Sequence, residues 1–119
     1  MSESIYPNVT RGLAKARRAL APELEDAFRA FSQKVFADGA LPTKTKQLIA
    51  VAVAHVTQCP YCIKGHTNAA RQHGATPEEV MEAIWVAAEM RAGGAWAHAT
   101  LALAELGVGS PKATPDQSV

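Results

Sequence analysis

At 119 residues, with 48% hydrophobic and 19% charged residues and a formal net charge of +1, the chain has the size and composition of one globular domain. That balance excludes a disordered or collagen-like chain, and near-neutrality argues against nucleic-acid binding by phosphate neutralisation. The longest apolar run, Leu48 to Ala54, is far below the ~20 residues that span a bilayer, and Met-Ser-Glu-Ser at the start lacks the pattern of a secretory signal. The expectation is a cytoplasmic protein without membrane or nucleic-acid partners.

Thr10 is placed to cap a short first helix through Leu20, with Leu13, Ala16 and Leu20 on one face. Pro22 opens a second helix, with Glu23, Glu25 and Asp26 where the helix dipole favours acids. Its apolar set, Leu24, Ala27, Phe28, Phe31 and Val35, follows helical spacing, and Asp38-Gly39 is the stop signal. Thr43 is the expected cap of a third helix to about Gln58, apolar nearly all round. The Lys44/Lys46/Gln47 lead-in and its length favour helix over a buried strand of ~5–6 residues. Cys59-Pro60 restarts the chain as a fourth helix ending near His73-Gly74, where His73 reads as a C-terminal cation.

Thr76-Pro77-Glu78-Glu79 combines an N-cap, proline at the first helical position and a capping-box glutamate. The fifth helix is expected to turn Val80, Ile84, Ala87 and Ala88 inward. Gly93-Gly94 is read as a break before an alanine-rich sixth helix ending at Leu106-Gly107. The prediction is an all-α, single-domain bundle of about six helices. Residues 1–21 form an N-terminal segment with a short helix, 22–107 the helical core, and 108–119 a flexible tail. Alanine supplies about a fifth of the chain, so much of the core is small methyl groups that bury little area each. Oligomerisation is the expected remedy.

The two cysteines of the chain, Cys59 and Cys62, stand three residues apart at a helix start. Such spacing in a reducing compartment points to redox or metal chemistry. Pro60 fits the first helical position, which makes Cys59 the cap and puts Cys62 in the first turn, where the dipole stabilises a thiolate. His66 follows one turn later on the same face, as a base within reach of a thiol. Cys62 is therefore expected to be the more reactive sulfur. A rival metal site, His55-x3-Cys59-x2-Cys62-x3-His66, stretches ~16 Å as a continuous helix and needs the chain to fold back at Pro60. Cys-Pro-Tyr-Cys also occurs in glutaredoxins, but here an apolar helix precedes it and capped helices follow, so a thioredoxin-like fold is rejected.

The run KTKQLIAVAVAHVTQCPYCIKGHTNAARQHGA from Lys44 to Ala75, followed by TPEE, resembles the carboxymuconolactone decarboxylase superfamily. Within it, the cysteine pair is similar to the alkyl hydroperoxidase D-like branch. The resemblance spans about residues 22 to 106. It implies a thiol-dependent antioxidant peroxidase or disulfide oxidoreductase, with Cys62 attacking peroxide or alkyl hydroperoxide. Cys59 would resolve the product as a redox-active disulfide, and His66 would serve the proton relay. No other cofactor and no metal are implied. The implied partners are further copies of the chain, as trimer or hexamer, and a thiol electron donor or reductase, with a peroxiredoxin as a candidate.

Where the family usually has a glutamate twelve residues before the first cysteine, this chain has Gln47, which can orient a hydrogen bond but cannot carry a proton. A non-catalytic or ligand-binding helical oligomer with a decayed relay is therefore the alternative function. A local substitute is offered by His55, which with Gln47 and Gln58 lies within about 80° on the third helix; the competing role for His55 is to satisfy a nearby carbonyl. Among the other polar and aromatic residues, Tyr61 is a candidate entrance residue, Trp85 and Trp96 are expected as core or subunit contacts, and Glu78, Glu82 and Glu89 as a solvated face. His98 has no partner legible in the sequence.

Overall fold

Five helices and no strand make up the described residues, 5–109, of the computed structural model: α1 Arg11–Leu20, α2 Pro22–Phe36, α3 Thr43–Thr57, α4 Pro60–Gln72 and α5 Pro77–Glu105. The N-terminal stretch 1–4 and most of the expected C-terminal tail lie outside those residues. Local chemistry fixes most boundaries. Thr10 Oγ1 accepts from Leu13 N–H at the start of α1. Pro22 and Pro60 each occupy the first turn of their helix. Thr76 and Glu79 form a reciprocal capping box at the start of α5, satisfying two backbone donors that would otherwise be orphaned.

Three expectations are corrected. Gly93-Gly94 does not break the chain: α5 runs 29 residues without interruption, about 44 Å at 1.5 Å per residue. Each glycine costs a helix ~1 kcal/mol relative to alanine, which the flanking alanines and leucines absorb, and neither glycine has a positive φ. The bundle therefore has five helices rather than six. Thr43 is the first residue of α3, not its cap. Asp38 takes that task, its Oδ1 accepting from Thr43 N–H at 2.8 Å, while Thr43 Oγ1 donates to Phe36 O at 2.7 Å. The turn between α2 and α3 is thereby tied at both ends, and Lys46 Nζ adds a bond to Ala37 O at 2.7 Å.

Packing centres on α3, which lies against both α4 and α5. Its Val51 is fully buried and Ala54 nearly so, joined by Ala70, Ala75 and Ala87. Lys44 and Glu79 bridge the starts of α3 and α5 at 2.8 Å, and Arg91 of α5 donates to Val56 O at the end of α3. By contrast, α1 and α2 touch the rest mainly near Phe36. They pair with each other through Arg17–Glu25 and Arg18–Asp26. The apolar face of α2 expected to enter a core is open, with Leu24, Phe28 and Phe31 more than 60% exposed. The radius of gyration, 20.7 Å, far exceeds the roughly 13 Å of a compact chain of this length. No helix among the described residues is long and apolar enough to cross a membrane.

Candidate active site

The site forms where α3 gives way to α4. Gln58 closes α3 in the left-handed conformation, φ 58° and ψ 48°, and that reversal brings Cys59 to the N-cap of α4. Helix geometry then sets Cys62 over the cap. Cys62 N–H donates to Cys59 Sγ at 3.3 Å, and the two sulfurs stand 2.7 Å apart as free thiols. Either thiol can donate across that contact, but the backbone N–H already given to Cys59 makes Cys59 the better acceptor.

The thiol acidities follow. Hydrogen bonds from the Cys62 side chain, then from the Cys62 and Tyr61 backbone, hold Cys59 below the usual thiol range. The same sulfur contact, with burial and the Cys59 charge behind it, pushes Cys62 up. These shifts run opposite to the thiolate stabilisation expected at Cys62. The N-cap position collects the donors, and one negative charge is all that two sulfurs in contact can hold.

Gln47, only 7% exposed on α3, reaches across to α4, where its Oε1 lies 2.7 Å from His66 Nδ1. An amide oxygen can only accept, so Nδ1 donates this bond, and Nε2 is the ring nitrogen it leaves uncommitted. Phe36, from the end of α2, stacks on the His66 ring at 5.0 Å between centroids and 28° between planes. The stack and the hydrogen bond together fix the imidazole. Cys62, His66, Gln47 and Phe36 line one open groove of about 510 Å³ with Tyr61 and Gly65.

The remaining candidates sit elsewhere. His55 Nδ1 bonds Val51 O of its own helix at 2.7 Å, so its ring satisfies a carbonyl, and the polar strip with Gln47 and Gln58 is not one site. No group of three or more metal-ligating side chains exists among the described residues. His73 Nδ1 caps the end of α4 through Ala69 O. Tyr61, half-exposed beside the cysteines, meets the edge of Tyr6 at 6.0 Å. Phe36 is the neighbour of the candidate site that the sequence did not point to. Its only signal was an aromatic ring next to the last residue of the apolar set on α2.

The carboxymuconolactone decarboxylase family model matches residues 22–105. The chain belongs to that family. Uncharacterized protein 4 in the cox locus of Paracoccus denitrificans is 61% identical over 89% of this chain and 95% of its own. An uncharacterized protein of Cupriavidus necator is 37% identical over 70% of this chain and 74% of that protein. Among solved structures, a carboxymuconolactone decarboxylase family protein from Legionella pneumophila, in its apo form, aligns with a TM-score of 0.64 and 43% identity, covering 69% of this chain and 72% of that one. A protein from Methanobacterium thermoautotrophicum aligns with a TM-score of 0.66 and 35% identity, covering 70% and 93%.

Proposed function

We propose that the protein is a thiol-dependent peroxidase of the alkyl hydroperoxidase D-like type, cycling Cys59 and Cys62 between dithiol and disulfide. The observation that carries this reading is the pair of free sulfurs 2.7 Å apart at a helix N-terminus, beside a histidine fixed by Gln47. Of the two thiols, Cys59 is held lower by its hydrogen bonds and Cys62 is pushed up. The Cys62 proton passes to Cys59 or to His66 Nε2, and the Cys62 thiolate attacks the terminal peroxide oxygen. The O–O bond breaks, Cys62 becomes a sulfenic acid, and the alkoxide leaves as alcohol after taking up a proton. Cys59, again as thiolate, attacks the Cys62 sulfur and expels the hydroxyl as water, forming the disulfide. Each peroxide thus consumes two thiols and two electrons, which an external dithiol donor or reductase must return.

Such a cycle suits a reducing compartment such as the cytoplasm, and a peroxiredoxin is a fitting redox partner. The exposed apolar faces of α2 and α5 support a homo-oligomer, a trimer or a hexamer built from it, as the working form. The replacement of the family glutamate by Gln47 favours the second reading, a non-catalytic or ligand-binding oligomer. Stoichiometry separates the two. Fully reduced protein mixed with cumene hydroperoxide should lose two thiols per peroxide, and Cys62→Ser should lose none through a disulfide. Reduced wild-type protein that leaves both peroxide and thiols unchanged would establish the second reading.

A further inference from the structure

His66 is held from two directions, and both supports begin at the opening of α3. Thr43 and Gln47 stand four residues apart on that helix, a spacing that puts them on one face. Gln47 reaches the imidazole directly, its Oε1 accepting from Nδ1 at 2.7 Å. Thr43 reaches it through another helix. Its hydroxyl donates to Phe36 O at 2.7 Å, and the Phe36 ring lies on the imidazole, 5.0 Å between centroids and 28° between planes. The two supports restrain different motions. A single bond to Nδ1 fixes one ring atom but not the tilt of the ring, and the χ2 torsion of histidine is broad. A second ring laid against the face blocks the tilt.

Phe36 owes its placement to the turn that follows it. It is the last residue of α2, whose apolar side chains Leu24, Phe28 and Phe31 are exposed. The end of that helix is tied by polar bonds instead: the Thr43 hydroxyl to Phe36 O, the Thr43 N–H to Asp38 Oδ1 and Lys46 Nζ to Ala37 O. The first of these ends on Phe36 itself. We infer that Thr43 is a positioning residue for His66, acting through Phe36 to keep the imidazole in one orientation in the groove it shares with Cys62. The effect on turnover rests on the peroxidase reading, whereas the placement of the ring is open to measurement without any peroxide. Gln47 supplies a neutral acceptor where a carboxylate bond would be roughly twice as strong, so orientation by the stacked ring counts for more. The plainer role for the Thr43 hydroxyl is to satisfy one of the carbonyls left open at the end of α2.

A double-mutant cycle on Thr43→Val and Phe36→Leu separates the two roles, with Thr43→Ser as the conservative variant. In the NMR spectrum of the reduced protein, a stacked Phe36 displaces the His66 ring protons upfield. Phe36→Leu should abolish that displacement, Thr43→Val should diminish it, and Thr43→Ser should retain it. Oxidation by hydrogen peroxide in stopped flow should slow by roughly 10- to 100-fold in each of Thr43→Val and Phe36→Leu, on the scale of a misplaced reacting group, and Thr43→Ser should restore the wild-type rate. The double variant should be no slower than Phe36→Leu alone, because without the ring Thr43 has nothing to position. Losses that multiply in the double variant, or His66 protons unmoved by Thr43→Val, overturn the inference and leave Thr43 as a tie of the α2–α3 turn. Thr43→Ala, which also lacks the hydroxyl, supplies the same reading should Thr43→Val fail to fold. A wild type that leaves peroxide and thiols unchanged removes the peroxidase reading, and the His66 shifts then decide the positioning on their own.

Discussion

Truncating Phe28 to alanine should weaken self-association without destabilising the individual chain. Phe28 and Phe31, on the open face of α2, are 68% and 63% exposed. A phenylalanine buries ~150–250 Å² when covered, so a partner chain would remove about 130 Å² of Phe28 from water, less the ~30 Å² that an alanine methyl would still present. At ~25 cal/mol per Å², that difference is worth about 2.5 kcal/mol for each copy in the interface. Since 1.4 kcal/mol is a factor of ten, one such contact moves the association constant by roughly 50- to 100-fold. On a free surface the same substitution would change stability by less than ~0.5 kcal/mol. Multi-angle light scattering over a dilution series reads the first quantity, and denaturant unfolding of the dissociated chain reads the second. A Phe28→Ala dilution curve superimposed on that of wild type would refute the assignment of this face to an interface. A wild type already monomeric at low micromolar concentration would refute the oligomer altogether.

Competitive alkylation of the reduced protein at neutral pH, read by peptide mapping, should label Cys59 before Cys62, because hydrogen bonds hold the Cys59 thiol down while the same contact pushes Cys62 up. Labelling of Cys59 should persist below the pH at which ordinary thiols become unreactive. Replacing His66 with alanine should slow peroxide reduction by ~10²–10⁴-fold if Nε2 takes part in proton transfer, while leaving the order of cysteine labelling unchanged. Gln47→Glu supplies a charge-assisted bond to His66 in place of a neutral one, a gain of about 1.4 kcal/mol. Stopped-flow peroxide reduction should therefore accelerate about tenfold. Asp38 is held below the usual carboxylate range chiefly by the Thr43 N–H. A depressed carboxylate stabilises the fold above its unfolded-state pKa and loses that contribution as pH falls through the folded one. The stability advantage of wild type over Asp38→Asn should accordingly be full at neutral pH and shrink as pH falls through the carboxylate range, across which the stability of Asp38→Asn should be flatter.

What could be read from the sequence was the chemistry that acts within one turn of a helix. Thr10, Pro22, Pro60 and the Thr76–Glu79 box announce helix starts through the side chain itself, and the spacing of Cys59, Cys62 and His66 requires only helical periodicity. What stayed hidden depends on contacts between elements. Nothing local to Gln47 says that its amide will cross to His66, and nothing local to Phe36 says that its ring will lie on that imidazole. The apolar stripe of α2 was legible as a face, but periodicity does not say whether the rest of the chain covers it, and here it stays exposed. Gly93-Gly94 misled for the opposite reason: a local signal was outweighed by the helix-forming residues on both sides. Cys59 and Cys62 were found by spacing, yet their order of acidity turned on a backbone N–H that only the N-cap geometry aims at Cys59.

That geometry bears on the replacement of glutamate by Gln47. A carboxylate beside His66 could accept a proton and pass it on, whereas an amide oxygen fixes the ring and ends the chain of transfer there. On the proposed cycle, the proton leaving Cys62 needs another acceptor at the moment the sulfur attacks. Cys59 is 2.7 Å away and the more acidic of the pair, so on this cycle the resolving sulfur, once ionised, acts first as the base. Its thiolate is neutralised as the Cys62 thiolate forms, and it must lose that proton again before closing the disulfide. His66, its ring held by Gln47 and Phe36, shares the groove with Cys62 and is the base proposed to take up the second proton. In the proposed cycle the pair of sulfurs would perform both the redox step and the first proton transfer, and the truncated relay would be left with the task of resetting Cys59.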